Sequence, residues 1–172
     1  MRIISRGILV FICAIILSLT TLNAVLAQEN EATGGAIYTF ETFWPLTAGK
    51  TMDEQFYFLK TFKESLRGML IFGVSQKADY AVLLGTKRVL EADKLIKAGK
   101  KDLASQTLKR ASEQFRIALE NVEKALREKN LGKNNIDTMK PRLNNLTDFL
   151  PTLNSDEANG VLQKVRDLNG KI

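Results

Sequence analysis

Carboxylates and serines are the side chains of this sequence to test for acid–base or nucleophilic chemistry, because the 172 residues include no histidine and only one cysteine, Cys13. Two acidic pairs, Asp53-Glu54 and Asp156-Glu157, stand at predicted helix starts, where capping and the helix dipole account for them. The sequence contains no calcium-binding loop and no Glu-x-x-His, Gly-x-Ser-x-Gly or Ser-x-x-Lys motif. We therefore expect a protein that is not an enzyme and that has no catalytic residue, metal ion or cofactor.

Two groups of residues are instead candidates for binding a partner. The first is the triplet Phe56, Tyr57 and Phe58, whose side chains span about 200° of a helix, so at least one must face solvent or another element. The second is a basic cluster near the end of a predicted helix, Lys94, Lys97, Lys100 and Lys101. We expect these residues to contact a protein or an envelope component. The alternative is an anionic membrane surface or wall polymer, bound by Lys94–Lys101 and the exposed aromatics.

Other charged residues have spacings that form ion pairs along one helix. Lys60 lies four residues before Glu64, and Glu64 lies three before Arg67, which predicts a ladder of weak surface pairs. An alternative is pairing between helices, in which Arg88 or Glu91 binds Lys60 or Glu64. The same single-helix spacings occur in two further groups: Arg88 with Glu91, and Arg116 with Glu113 and Glu120.

Residues Met1–Ala27 have the composition of a secretory signal peptide. Two arginines precede the apolar run Gly7–Leu19, and small residues, Val25 and Ala27, stand at the −3 and −1 positions of a cleavage site. An uncleaved membrane anchor is the alternative. Cleavage would remove Cys13, the only cysteine, and leave 23 Lys and Arg against 19 Asp and Glu, a net charge of +4. Because the basic residues are spaced among acidic ones along the helices and form no sustained basic arm, we expect no nucleic-acid partner.

The segments that must position the candidate residues begin with a polar leader and an extended aromatic strip within residues 28–50. Tyr38, Phe40 and Trp44 share one face of that strip, and Phe43 lies on the other. A helical domain is predicted over residues 51–172. The Thr51-x-x-Glu54 capping box opens its first helix, from about Met52 to Ile71.

The apolar residues of the first helix predict a face that packs against the core. Its members recur at helical spacing and are Leu59, Phe62, Leu66, Met69 and Leu70. Phe62 is expected in the core with Tyr80 of the next helix, where both supply bulk to an alanine-rich partner.

The next two helices are predicted over Gln76–Ala98, with Ser75 as N-cap, and over about Lys101–Lys129. Apolar residues of the later helix recur at steps of four and three, a 3.5-residue period typical of coiled-coil packing: Ala104, Leu108, Ala111, Phe115, Ala118, Val122 and Ala125. Gly99 has the position of a C-terminal glycine cap. The short link predicts an antiparallel hairpin.

The C-terminal region predicts two shorter helices. Pro141 fits the first turn of one that ends near Leu150-Pro151, and Ser155 caps the other.

The stretch Pro45–Lys100 resembles a bacterial extracytoplasmic family of unknown function. The residues that carry the resemblance are Pro45, Tyr57-Phe58-Leu59-Lys60 with Glu64, and the Arg88-x-x-Glu91-Ala92 segment. Members have a signal or single membrane segment followed by an all-helical domain. The resemblance implies this fold and compartment, and no activity.

Together these features predict an all-α domain, in which a long antiparallel hairpin is packed by an aromatic N-terminal helix and shorter C-terminal helices. We expect a non-enzymatic interaction or structural role in the bacterial cell envelope. The expected location is extracytoplasmic, whether secreted, periplasmic or at the cell surface, with membrane anchoring if the signal is retained.

Overall fold

Residue 43 and residues 45–172 are described by a computed structural model, and all of them belong to one unit of the chain, Tyr38–Ile172. Residues 57–169 contain five α-helices and one 3₁₀ turn, which confirms the expected all-α class. Their bounds are α1 Tyr57–Met69, α2 Val74–Lys97, α3 Lys101–Arg127, α4 Lys133–Phe149, the 3₁₀ turn Leu150–Leu153 and α5 Asp156–Asn169. The predicted signal, the polar leader and the aromatic positions Tyr38, Phe40 and Trp44 lie outside the described residues.

Helices α2 and α3 share the most extensive helix–helix contact among the described elements, in agreement with the predicted hairpin. All seven residues of the predicted α3 stripe are buried, from Ala104 to Ala125. A Cβ built at Gly85 of α2 would lie 2.7 Å from Cζ of Phe115 on α3. The hairpin therefore has a tight centre, where the missing side chain at Gly85 makes room for a fully buried phenyl ring.

The turn between α2 and α3 follows the predicted glycine chemistry. Gly99 has a φ of +75°, and the amide of Lys100 donates to the carbonyl of Leu95 at 2.8 Å while that of Gly99 donates to Ile96 at 2.9 Å. These are the two hydrogen bonds of a Schellman cap, which requires a left-handed residue at this position. The cap gives hydrogen-bond donors to backbone carbonyls at the end of α2, and α3 begins two residues after Gly99, at Lys101.

Three expected details of the helix ends are corrected or confirmed by the structure. Ser75 is not the N-cap of α2, because α2 begins at Val74; its hydroxyl instead accepts from the amide of Gly132 at 3.2 Å. Pro141 lies inside α4 rather than in its first turn, since α4 begins at Lys133. Ser155 does cap α5, because its hydroxyl accepts from the amide of Ala158 at 3.1 Å.

The segment before α1 contacts the core through an aromatic pair. Phe43 is buried and meets the ring of Phe149 edge to face, with centroids 5.5 Å apart. None of the helices described here is long and apolar enough to cross a lipid bilayer.

Helix α1 is shorter than predicted. The amide of Thr51 donates to Oε1 of Glu54 at 3.1 Å, as in a capping box, but the helix begins only at Tyr57. The reason is Phe56, whose φ of +63° is left-handed and interrupts any helix that starts at Met52. The break sets the direction in which α1 leaves the preceding turn.

Candidate functional site

Helix α1 contacts α2 through polar side chains. Tyr57, Lys60, Glu64 and Gly68 follow one another at steps of three or four residues and so lie on one face. The hydroxyl of Tyr80 on α2 donates to the backbone carbonyl of Glu64 at 2.8 Å. This face of α1, which we call the docking face, contains no large aliphatic residue.

Glu91 of α2 is the centre of an ion cluster beneath the docking face. Its side chain is fully buried and accepts hydrogen bonds from Nζ of Lys60 at 2.5 Å, from Nη1 of Arg88 at 2.5 Å and from the hydroxyl of Tyr57 at 3.2 Å. Lys60 also donates to the carbonyls of Ala48 and Lys50, at 2.6 and 2.7 Å. Glu91 therefore joins the two helices, and Lys60 also binds the segment before α1.

Arg88 joins a second carboxylate to the cluster. Its Nη2 donates to Oε2 of Glu64, and its guanidinium lies 5.8 Å from the ring centroid of Tyr57. The other oxygen of Glu64 lies 3.9 Å from Nζ of Lys87. Because Glu64 is only 9% exposed, water screens this pairing far less than it screens a surface pair. The four central residues, which we call the ion cluster, carry no net charge: Lys60, Glu64, Arg88 and Glu91.

Burial and charge act on the titration of these groups in opposite directions. Burial lowers the pKa of Lys60 below its ordinary value, even though Glu91 opposes the shift. Burial also acts to lower the pKa of Arg88, but the charges of Glu91 and Glu64 outweigh it and the pKa is raised. Burial raises the pKa of Tyr57, which keeps its hydroxyl protonated as a donor to Glu91.

The predicted surface ladder on α1 is therefore wrong, and the alternative of pairing between helices is correct. Lys60 and Glu64 point toward α2 because the docking face, not the apolar face, contacts the hairpin. The pair Arg88–Glu91 does form, but it is buried. A true surface group is found on α3, where Arg116 binds Glu113 at 2.6 Å and also binds Glu120.

The apolar face of α1 points away from the hairpin, which corrects the predicted core packing. Its residues centre about 160° around the helix from the docking face, at roughly 100° per residue. Phe62 is 66% exposed, so its predicted place in the core is wrong, whereas Tyr80 is half-buried beside α1. The exposed apolar residues, which we call the outward face, are Phe58, Leu59, Phe62, Leu66 and Met69, continued after the helix by Leu70 and Phe72.

The aromatic triplet is divided between the two sides. Phe56 and Phe58 are exposed and lie near each other, with ring centroids 6.5 Å apart. Tyr57 is half-buried against Glu91 and Arg88. At least one ring does face solvent, as the arc of the triplet required, and Tyr57 belongs to the docking face.

The basic cluster at the end of α2 is largely paired with carboxylates. Lys94 binds Glu54 at 2.8 Å and Lys97 binds Asp93 at 2.6 Å. Lys100 binds Asp53, and hydrogen bonds from Lys100 and Thr51 lower the pKa of that carboxyl to about 2. Lys101 is exposed at the start of α3. These pairs neutralise much of the positive charge that the sequence assigned to Lys94–Lys101.

The exposed charged residues of α1, beside the outward face, are all positive. Lys63 and Arg67 are exposed on α1, while Glu64, the only acidic residue of this helix, is buried. Arg67 lies over the ring of Tyr80, with its guanidinium carbon 5.6 Å from the centroid. The exposed surface of α1 is therefore apolar with a basic edge.

A shallow groove of about 220 Å³ runs between α1 and the hairpin, lined among others by Gly68, Tyr80, Leu84 and Ile117.

Within the described part of the chain, no three His, Cys, Asp or Glu residues converge as a metal site would require.

Searches of curated proteins and of solved structures returned no match to this chain. A family match covers residues 49–149, more than half of the sequence, and includes α1 to α4 with the ion cluster. By this match the chain belongs to the family described as Domain of unknown function (DUF5667).

Proposed function

We propose that this protein is a non-enzymatic interaction domain of the bacterial cell envelope, and that the outward face of α1 is its binding surface. The observation that carries the proposal is the orientation of α1, which places charged residues against the hairpin and apolar ones in solvent. A helix with one apolar face ordinarily turns that face to the core. This orientation therefore calls for a specific reason.

The ion cluster accounts for the orientation of α1. Rotating α1 to bury Phe62 and Leu66 would carry Lys60 away from Glu91 and Glu64 away from Arg88. Glu91 would then keep only Arg88, from its own helix, as a charged partner. Breaking a buried ion pair in this way costs about 3–5 kcal/mol. The cluster thus holds the apolar residues outward at the expense of their burial.

The exposed apolar residues provide the free energy for binding. Burying one large apolar side chain contributes about 1.5–3 kcal/mol, and several such residues lie side by side along α1. Large contiguous apolar patches on a protein surface mark interaction sites. A partner that covers the outward face gains this burial without rearranging the ion cluster.

The predicted signal segment and the family resemblance support the envelope setting. The absence of histidine from the whole sequence favours binding over catalysis, because the commonest general base is missing.

Cysteine labelling in intact cells of the source bacterium tests both parts of the proposal. The full chain carries Cys13→Ser with either Phe62→Cys on the outward face or Gln106→Cys, a matched exposed control on α3. A maleimide that does not cross membranes is added to the cells and, separately, to chain purified without detergent. We expect Gln106→Cys to react in intact cells, and Phe62→Cys to react more slowly relative to this control than it does in the purified chain.

Each result bears on one part of the proposal. Labelling of Gln106→Cys only after the cells are permeabilised would overturn the extracytoplasmic location. An equal ratio of the two rates in cells and in purified chain would mean that nothing covers Phe62, and the binding role of the outward face would be wrong.

A further inference from the structure

We infer that the occupant of the outward face of α1 is an anionic lipid bilayer surface, into which the apolar residues insert while Lys63 and Arg67 contact the headgroups. This inference rests on the proposed function and identifies the partner of the same surface. Three properties of the described residues carry it: the shape of the surface, the sign of its charge, and the pairing of the other lysines.

The outward face is a ridge on a single helix rather than a groove. Met69 is 74% exposed and Phe72, directly after the helix, is 85% exposed, so these side chains project from the domain. A projecting helix finds a complementary groove only on a partner shaped for it, whereas a fluid bilayer accepts any convex apolar ridge. Helices that lie in the bilayer interface combine such a face with a basic polar side.

Charge complementarity selects an anionic surface. The exposed charged residues of α1 are Lys63 and Arg67, and Lys77 near the start of α2 adds a third exposed cation close by in the chain. Glu64, which would offset them, is buried and bound to Arg88. Long basic side chains at the edge of an apolar face reach phosphate headgroups while their methylene groups remain against apolar surface.

A second copy of this chain is a poorer occupant. Two-fold pairing of α1 with itself would bring Lys63 and Arg67 of both copies to one apolar seam, and α1 exposes no carboxylate to balance them. Like charges at a helix interface oppose pairing.

The cationic surface lies at α1 and not at the other end of α2. Lys94, Lys97 and Lys100 each bind a carboxylate, which reduces the attraction of that cluster for anionic headgroups. The predicted signal or anchor, residues 1–27, would bring the domain to a membrane during export or keep it there.

An environment-sensitive fluorophore in the full chain tests the inference. The label is attached to Phe62→Cys or to Gln106→Cys, each with Cys13→Ser, and the chain is mixed with vesicles of phosphatidylcholine or of phosphatidylcholine with phosphatidylglycerol. Any attachment through the N-terminal apolar segment is common to both labelled chains, so the informative quantity is the difference between the two labels. We expect a several-fold rise in emission and quenching by spin-labelled lipid for position 62 with anionic vesicles only, and neither effect for position 106.

Charge reversal separates the electrostatic contribution. Lys63→Glu with Arg67→Glu should abolish most of the rise in emission at position 62 with anionic vesicles. The same charge change in α3, Lys101→Glu with Arg127→Glu, should leave most of that rise. An equal effect of the two pairs would overturn the role of the basic edge.

Three further results distinguish failure of this inference from failure of the proposed function. A label at position 62 that stays in water with both vesicles overturns the lipid partner; if Phe62→Cys is nevertheless protected in cells, a protein partner replaces it. If the emission of the label at position 62 rises with protein concentration in the absence of vesicles, the partner is a second copy of the chain and the lipid partner is overturned. Lack of protection in cells and lack of response to vesicles reject both proposals.

Discussion

Arg88 on α2 and Glu64 on α1 form an ion pair between these two helices, although 24 positions separate them in sequence. Both residues are buried, and Arg88 also binds Glu91. The position of α1 on α2 should therefore depend on single charged residues rather than on apolar contacts.

Loss of the central carboxylate should destabilise the whole domain. Glu91→Ala leaves Lys60 and Arg88 partly buried without their common partner, and we expect a loss of about 3–5 kcal/mol in the free energy of unfolding. Urea denaturation followed by circular dichroism measures it. The exposed pair on α3 is the control: Glu113→Ala should cost less than about 1 kcal/mol, and equal losses would contradict the cluster.

Loss of the other carboxylate should loosen α1 selectively. In Glu64→Ala, Arg88 keeps Glu91 as a partner, while α1 loses its link to Arg88. We expect the free energy of local opening of Tyr57–Met69 to fall by about 1–3 kcal/mol. Amide hydrogen exchange read by mass spectrometry measures this, with Leu103–Val122 of α3 as the unchanged reference; a uniform increase over both helices would argue against a separable α1.

The close contact between Gly85 and Phe115 predicts a large effect of a single methyl group. The added Cβ of Gly85→Ala would lie 2.7 Å from a ring that has no exposed surface, so we expect a loss of about 1–3 kcal/mol. Gly160→Ala on α5 is the matched control. Its Cβ meets nothing within 4 Å, and helix propensity should make it stabilising by up to about 1 kcal/mol. Thermal denaturation compares the two, and similar melting temperatures would refute the packing argument.

Polar substitutions on the outward face should leave the isolated protein as stable as before. Phe62→Gln with Leu66→Gln removes apolar side chains that are already in solvent, so the change in unfolding free energy should stay within about 0.5 kcal/mol per site. Leu108→Ala, in the buried stripe of α3, should cost about 2–5 kcal/mol. If Phe62→Gln with Leu66→Gln lowered the unfolding free energy as much as Leu108→Ala does, the apolar face of α1 would have to be buried.

Acid should weaken the contact between the turn before α1 and the start of α3. Lys100 and Thr51 lower the pKa of Asp53 from 3.8 to about 2 in the folded chain. A carboxyl whose pKa is depressed by folding contributes stability above its unfolded pKa, and this contribution disappears as pH falls through the folded value. The stability difference between the protein and Asp53→Asn should therefore shrink between pH 4 and pH 2. Denaturation curves across that interval measure it; a constant difference would exclude the pairing.

The sequence predicts the parts of this fold that depend on local periodicity and end chemistry. The 3.5-residue stripe of α3, the glycine cap at Gly99 and the serine cap at Ser155 all follow from residue types at fixed spacing. The late start of α1 was not predictable in the same way, since the left-handed conformation of Phe56 is rare for an aromatic residue.

The orientation of α1 shows where periodicity is insufficient. An apolar stripe identifies a face but does not say which neighbour covers it, and the usual assumption that the core does so is wrong for Leu59 and Phe62. The opposite face contained the informative signal. Lys60 and Glu64 recur at helical spacing with Tyr57, and Arg88-x-x-Glu91 offers complementary charges on the next helix.

The neutrality of the ion cluster constrains how this family can diverge. Two cations and two anions share one buried volume, so replacing Lys60 or Arg88 alone leaves a net negative charge there, and replacing Glu64 or Glu91 alone leaves a net positive one. Substitutions at these four positions should therefore be inherited jointly, as charge swaps or as conversion of the whole set to apolar residues. Exposed pairs elsewhere, such as Arg116 with Glu113 on α3, can change one residue at a time.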